Sequence, residues 1–204
     1  MFQDAFDKLE LPEITTILDQ VNPELGNISF DPNKTTIMAH DVSFYPGFRF
    51  LDISDHSVIP VRQRLALYSE KQNIILNFTN EPIYKLNQEL PIKLSKKNIV
   101  DYVRFFFTCV RGRHGRFLIS ESIDDINWKE EPPPTARKAI GKILKPITLQ
   151  KVGRGGVYNL KATMIFKDSL FGSDINVSSD GFVTLDNEEL LIEDIPITDD
   201  IFGQ

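Results

Sequence analysis

One cysteine, one tryptophan and three histidines are all that 204 residues offer of the scarcer side chains. A lone Cys109 excludes an internal disulfide, and with it the disulfide-stapled scaffolds of small secreted domains. His40, His56 and His114 stand 16 and 58 residues apart, with no H-E-x-x-H or C-x-x-C spacing, so neither a metal nor another cofactor is expected. Long apolar runs are missing too. The longest, Tyr102 to Val110, is interrupted by Arg104 and Thr108 and falls short of the roughly 20 residues of a spanning helix, so no membrane partner is expected. The opening MFQDAFDKLELPE is acidic and lacks the basic and apolar segments of a secretory signal. A cytoplasmic location follows as the expectation, and the sequons at Asn27, Asn33, Asn77 and Asn176 then carry no weight.

What is present suits an ordinary globular chain, with 41% hydrophobic and 25% charged residues. A single α+β domain over 1–204 is expected; a two-domain alternative would divide at Glu130 to Pro134. The net charge of -6 hides a segregation. Residues 1–95 hold 8 Lys+Arg against 13 Asp+Glu, residues 96–154 hold 13 against 6, and residues 155–204 hold 2 against 10. The basic middle is read either as neutralised within the fold, basic helices against acidic strands, or as a face for an anionic partner. The acidity of the whole chain favours the first.

Hydrophobic periodicity predicts short N-terminal helices around Phe2 to Leu9 and Ile14 to Leu18, ending by Asn22-Pro23. Strands follow at Ile37 to Val42, Phe48 to Ile53, Val61 to Tyr68 and Ile74 to Thr79. Ile83 to Leu94, punctuated by prolines, reads as an irregular connection or edge strand. A largely buried central helix is predicted over 95–111, capped by Ser95 and closed by Gly112 in a left-handed conformation. Its polar residues Lys97, Asp101, Arg104, Thr108 and Arg111 leave one narrow stripe for water, which raises the expectation of self-association through the apolar remainder. A second, amphipathic helix is predicted over 135–145, followed by an antiparallel sheet through Ile147 to Val152, Val157 to Phe166, Ile175 to Val177 and Phe182 to Leu185. The acidic tail, 194–204, reads as flexible or as docking an edge.

No complete catalytic motif occurs. GRGG lacks the G-K-[ST] of a phosphate loop, and DINVSSDGFVTL has Ser179 and Leu185 where a calcium loop needs Gly and Glu; both read as hairpin turns. Arg104, Arg111, Arg113 and Arg116 are candidates for holding an anion, with His114 as the candidate catalytic proton donor. A helix C-terminus repels anions, which favours a structural role for this basic turn. Asp52, Asp55 and His56 are the loop candidates; Asp55, His56 and Ser57 are consecutive and do not readily face one another as a triad. Cys109 lies in apolar surroundings and is expected to be an inert thiol.

YVRFFFTCVRGRHGRFLI, EEPPPTARKAI and MIFKDSLF together resemble an uncharacterised family of bacterial hypothetical proteins, over Phe44 to Asp200. The resemblance implies a bacterial, cytoplasmic origin and no activity. The leading expectation is a non-catalytic intracellular binding or accessory protein with an unidentified protein or anionic ligand as partner. The alternative is a small enzyme holding a phosphate or carboxylate substrate at the Arg111–Arg116 turn. Nucleic-acid binding through Arg137, Lys138, Lys142 and Lys145 ranks third, because a net negative chain disfavours it.

Overall fold

A computed structural model describes residues 5–112 and 115–198. The first sheet is an antiparallel meander in sequence order, β1 (Asp7–Lys8), β2 (Thr35–Asp41), β3 (Arg49–Asp55), β4 (Arg62–Tyr68) and β5 (Asn73–Leu76). Thr35 pairs with Asp55 and Asp41 with Arg49, so the register of β2 on β3 is unbroken. Side chains alternate, which sends Leu51 and Ile53 to one face and Phe50 to the other. Helix α1 (Leu11–Val21) covers the first of these faces. Its Ile14, Ile17, Leu18 and Val21 recur at helical spacing and meet Ile37, Ala39, Leu51, Ile53 and Ala66.

The second sheet holds β6 (Phe117–Ile119), β7 (Thr148–Val152), β8 (Tyr158–Phe166), β9 (Ser169–Val177) and β10 (Val183–Ile192). One edge of β8 is shared: β7 pairs with Tyr158 to Lys161, and β6 with Met164 to Phe166. The other edge carries β9 and then β10. Asp186, Glu188 and Glu189 stand exposed on that last strand, where like charges discourage pairing with another chain.

Helices α2 (Glu81–Glu89) and α3 (Ile99–Cys109) join the two sheets. One hydrophobic cluster runs from Phe50, Leu65 and Leu67 through Ile83, Leu86 and α3 to Leu160, Met164, Ile175 and Val177. The Phe105 ring sits 5.3 Å from that of Phe44 and 5.8 Å from that of Phe50. Eight of the eleven α3 residues are buried, because both sheets contribute cover. The apolar circumference is therefore satisfied within one chain, and the reason for expecting self-association does not arise. On the outer face of the second sheet, Ile140 and Leu144 at α4 (Pro134–Ile143) pack with Ile165, Leu170, Ile126, Ile195 and Ile197. The whole is the expected α+β fold, antiparallel sheets around a buried central helix.

Several boundaries differ from those the sequence predicts. Asn98 Oδ1 accepts from the Ser95 N–H at 2.7 Å and hydroxyl at 3.0 Å, closing a separate turn that delays α3 to Ile99. Val110 is extended, and the Arg111 N–H donates to the Phe78 carbonyl at 2.8 Å, so Arg111 lies outside the helix and Gly112 is no left-handed cap. Asp7–Lys8 is strand rather than helix, paired with Met38 and Ala39. Ile83 to Leu94 begins with a helix, since Pro82 occupies the first turn, where a missing N–H is harmless. The chain after Asp194 packs: Ile195 and Ile197 are buried, and the Thr198 N–H donates to Asn127 at 2.8 Å. Residues 199–204 lie outside the described residues. Among the described residues no helix is long and apolar enough to cross a membrane.

Candidate functional site

Arg104 was predicted on the wet stripe of α3, yet it is only 7% exposed. Its Nε and Nη2 donate to the two carboxylate oxygens of Glu121 at 2.8 and 2.9 Å, and Nη1 donates to Asp101 at 3.0 Å. Glu121 also accepts from the Ile147 N–H at 2.9 Å. Burial pushes the Glu121 carboxyl up, but the hydrogen bonds from Arg104 and Ile147 and the guanidinium charge outweigh it, and the group titrates below the ordinary range. Arg104 is thus a structural tie between α3 and the segments flanking β6 and β7. Arg111 lies with its guanidinium carbon 4.0 Å from the centre of the Phe78 ring. Arg116 lines a cleft of about 200 Å³ with Arg104, but Asp124 and Asp125 line it too. Arg113 and His114 lie outside the described residues. Arg104 and Arg116 thus share one cleft, and Arg111 is not among the residues that line it. Part of the basic middle is neutralised by its own acids, since Arg137 pairs with Asp124 at 2.8 Å and Glu131 at 2.6 Å.

Asp52 and Asp55, predicted in a loop, are both in β3, and three residues apart on a strand they face opposite ways. Asp52 accepts from Ser54 at 2.8 Å and from Gln63 at 2.9 and 2.8 Å. Asp55 closes the hairpin turn: the Ser57 hydroxyl and N–H donate to it at 2.6 and 2.9 Å, and these bonds hold its carboxyl below the usual range. His56 is exposed in that turn, while His40 on β2 lies against Phe6, ring centres 5.3 Å apart. Among the described residues no three His, Cys, Asp or Glu side chains are grouped to hold a metal ion. Cys109 is fully buried; desolvation drives its thiol well above the ordinary value, and the Arg116 charge offsets little of that.

The arrangement left open to a ligand is on the outer face of the second sheet. A cleft of about 640 Å³ runs between Pro146, just past α4, and Leu191 of β10, over Thr163 and Gly172. A neighbouring cleft of about 430 Å³ shares Lys161, Asp174 and Asn187 with it, so the two form one trough across β8, β9 and β10. Cross-strand hydrogen bonds order its polar groups. Asn187 Nδ2 donates to Asp174 at 2.9 Å, and Lys161 pairs with the same carboxylate at 3.7 Å. Asn159 donates to Asn176, which donates to Asp186 at 2.5 Å.

A glycine within one strand and a break in the register of another shape this trough. Gly172 is in the middle of β9 without a positive φ, and a Cβ there would meet only Leu191 at 3.7 Å, an ordinary contact. Neither conformation nor packing asks for glycine, whose effect is to hollow the floor. The register of β10 also breaks between Asp186 and Glu189, where Asn187 takes φ 50 and turns its amide onto Asp174. A larger cleft of about 930 Å³ lies between α1 and two turns of the first sheet, but its Arg49 is already bound to Glu13 at 2.5 Å. Sequence reasoning missed the trough. Gly172 within a strand-like run was the available signal; the register that aligns Lys161, Asp174 and Asn187 was not. Compared with family models, with curated proteins and with solved structures, the chain matches none.

Proposed function

We propose that this chain is a cytoplasmic, non-catalytic binding protein whose recognition surface is the trough over β8, β9 and β10. The observation that carries this reading is the coincidence of a mid-strand glycine and a β-bulge in one concave face that joins a mainly apolar cleft to a hydrogen-bonded polar one. A merely solvated sheet face needs neither, whereas both are features found where a ligand or backbone approaches closely. The buried, lone cysteine fits a reducing compartment.

An enzyme acting on an anionic substrate at Arg111–Arg116 has weaker support. Arg104 is held by two carboxylates, Arg111 by the Phe78 ring, and Asp124 and Asp125 oppose an anion beside Arg116. Nucleic-acid binding by α4 loses Arg137 to its ion pairs. A thermal-shift screen of a diverse small-molecule library on wild type, Gly172→Val and Arg116→Ala separates these readings. Compounds that stabilise wild type and Arg116→Ala but not Gly172→Val are expected; a ligand at about 100 times its Kd adds roughly 2.7 kcal/mol. Hits lost in Arg116→Ala and kept in Gly172→Val would contradict the proposal.

A further inference from the structure

We infer that the trough takes an uncharged, polyhydroxylated ligand, a short neutral oligosaccharide; this rests on the trough being the recognition surface. Its lining is charge-balanced. Lys145, Lys151 and Lys161 are matched by Asp174, Asp186 and Glu189, so neither an anion nor a cation gains from entering. The cleft between Pro146 and Leu191 is mainly apolar, and the donors and acceptors concentrate in the neighbouring cleft, where the amides of Asn159, Asn176 and Asn187 are held in line by their neighbours. An amide offers a donor and an acceptor side by side, as does the Asp174 carboxylate beside Lys161. A hydroxyl is the small neutral group that gives and takes a hydrogen bond at once, and a ring bearing adjacent hydroxyls matches such pairs. Pro146 and Leu191 line the same cleft and supply apolar surface for the C–H face of a sugar ring. The hollow at Gly172 lets such a ring reach the sheet, and about 640 Å³ lies within the range of small-ligand sites.

The test is a calorimetric titration of the full chain with neutral trisaccharides of glucose, mannose, galactose, xylose and N-acetylglucosamine. Trigalacturonic acid and a sulfated disaccharide serve as acidic arms, and a tripeptide of alanine as a neutral non-sugar. At least one neutral trisaccharide is expected to bind. Gly172→Val, which blocks the hollow, and Asn187→Gly, which removes the amide and keeps the left-handed backbone, should each weaken it about tenfold or more. The melting temperature of Gly172→Val should stay level or rise, since a β-branched residue suits a strand better than glycine. Silence from every neutral sugar overturns the inference, as does binding that both variants leave intact. Preference for the acidic sugars or the tripeptide, lost in Gly172→Val, would remove the ligand class and leave the binding surface standing. Failure of the surface itself would show separately, as library hits insensitive to Gly172→Val.

Discussion

Replacing Glu121 with Gln keeps the shape of the side chain and removes the charge opposite Arg104, whose side chain is 8% exposed. Asp101 remains paired at 3.0 Å on the more exposed side, and Gln can accept no bidentate pair of charge-assisted bonds. Stranding one member of a buried pair costs about 3–5 kcal/mol, and the residual Asp101 contact places this variant near the lower end, about 3 kcal/mol. For a chain of this size, about 2–4 °C per kcal/mol predicts a fall in Tm of roughly 6–12 °C. Urea unfolding of both proteins at several pH values is the assay. Because the folded-state pKa of Glu121 is depressed, its contribution is present above the unfolded value of about 4.3 and is lost as pH falls through the lower, folded value. The gap between wild type and Glu121→Gln should therefore be flat from neutral pH to about 5 and close below that. A loss under about 0.5 kcal/mol, as for a surface pair, or a gap that ignores acid, would refute the reasoning. Replacing both partners, Arg104→Met with Glu121→Leu, should recover part of the stability, since Asp101 is 37% exposed and can be solvated while the Ile147 N–H loses its acceptor.

Phe105→Ala should cost about 3–5 kcal/mol in urea unfolding, because the ring is fully buried among Phe44, Tyr45 and Phe50 and leaves a cavity. Gly181→Ala should cost about 2 kcal/mol or more by the same assay. Gly181 has φ 81, and a Cβ would come within 2.6 Å of Asn87 Nδ2 and 2.8 Å of Tyr102 Oη, where the β9–β10 hairpin docks on α2 and α3. The Cys109 thiol should react with a chromogenic disulfide only on the timescale of unfolding, measured by following thiol release with and without urea; prompt reaction of native protein would contradict its burial.

How legible the fold was depended on how local its causes were. The apolar circumference of α3 announced a buried helix, and alternating runs announced β2 to β4, because both patterns are written in consecutive residues. Helix α2 was hidden by Pro82, which reads as a breaker unless it is known to sit in the first turn. Most of β10 was hidden as well, since an exposed, acidic edge strand carries little alternation to detect. The role of Arg104 was misread for a different reason. Its partner Glu121 is 17 residues away across a turn, and nothing in α3 itself says that a charge on its polar stripe will be buried. The trough is least local of all, since Lys161, Asp174 and Asn187 meet only through the registers of three strands.

The central claim, that recognition belongs to the outer face of the second sheet and not to the basic turn, is tested most directly by mapping a bound ligand. Backbone amide shifts would be recorded on isotope-labelled full chain titrated with the tightest stabilising compound from the library screen. The account predicts shifts concentrated at Lys161, Gly172, Asp174 and Asn187, with Phe78, Arg111 and Arg116 unmoved. Shifts centred on Arg111 and Arg116, with the strand amides silent, would contradict it.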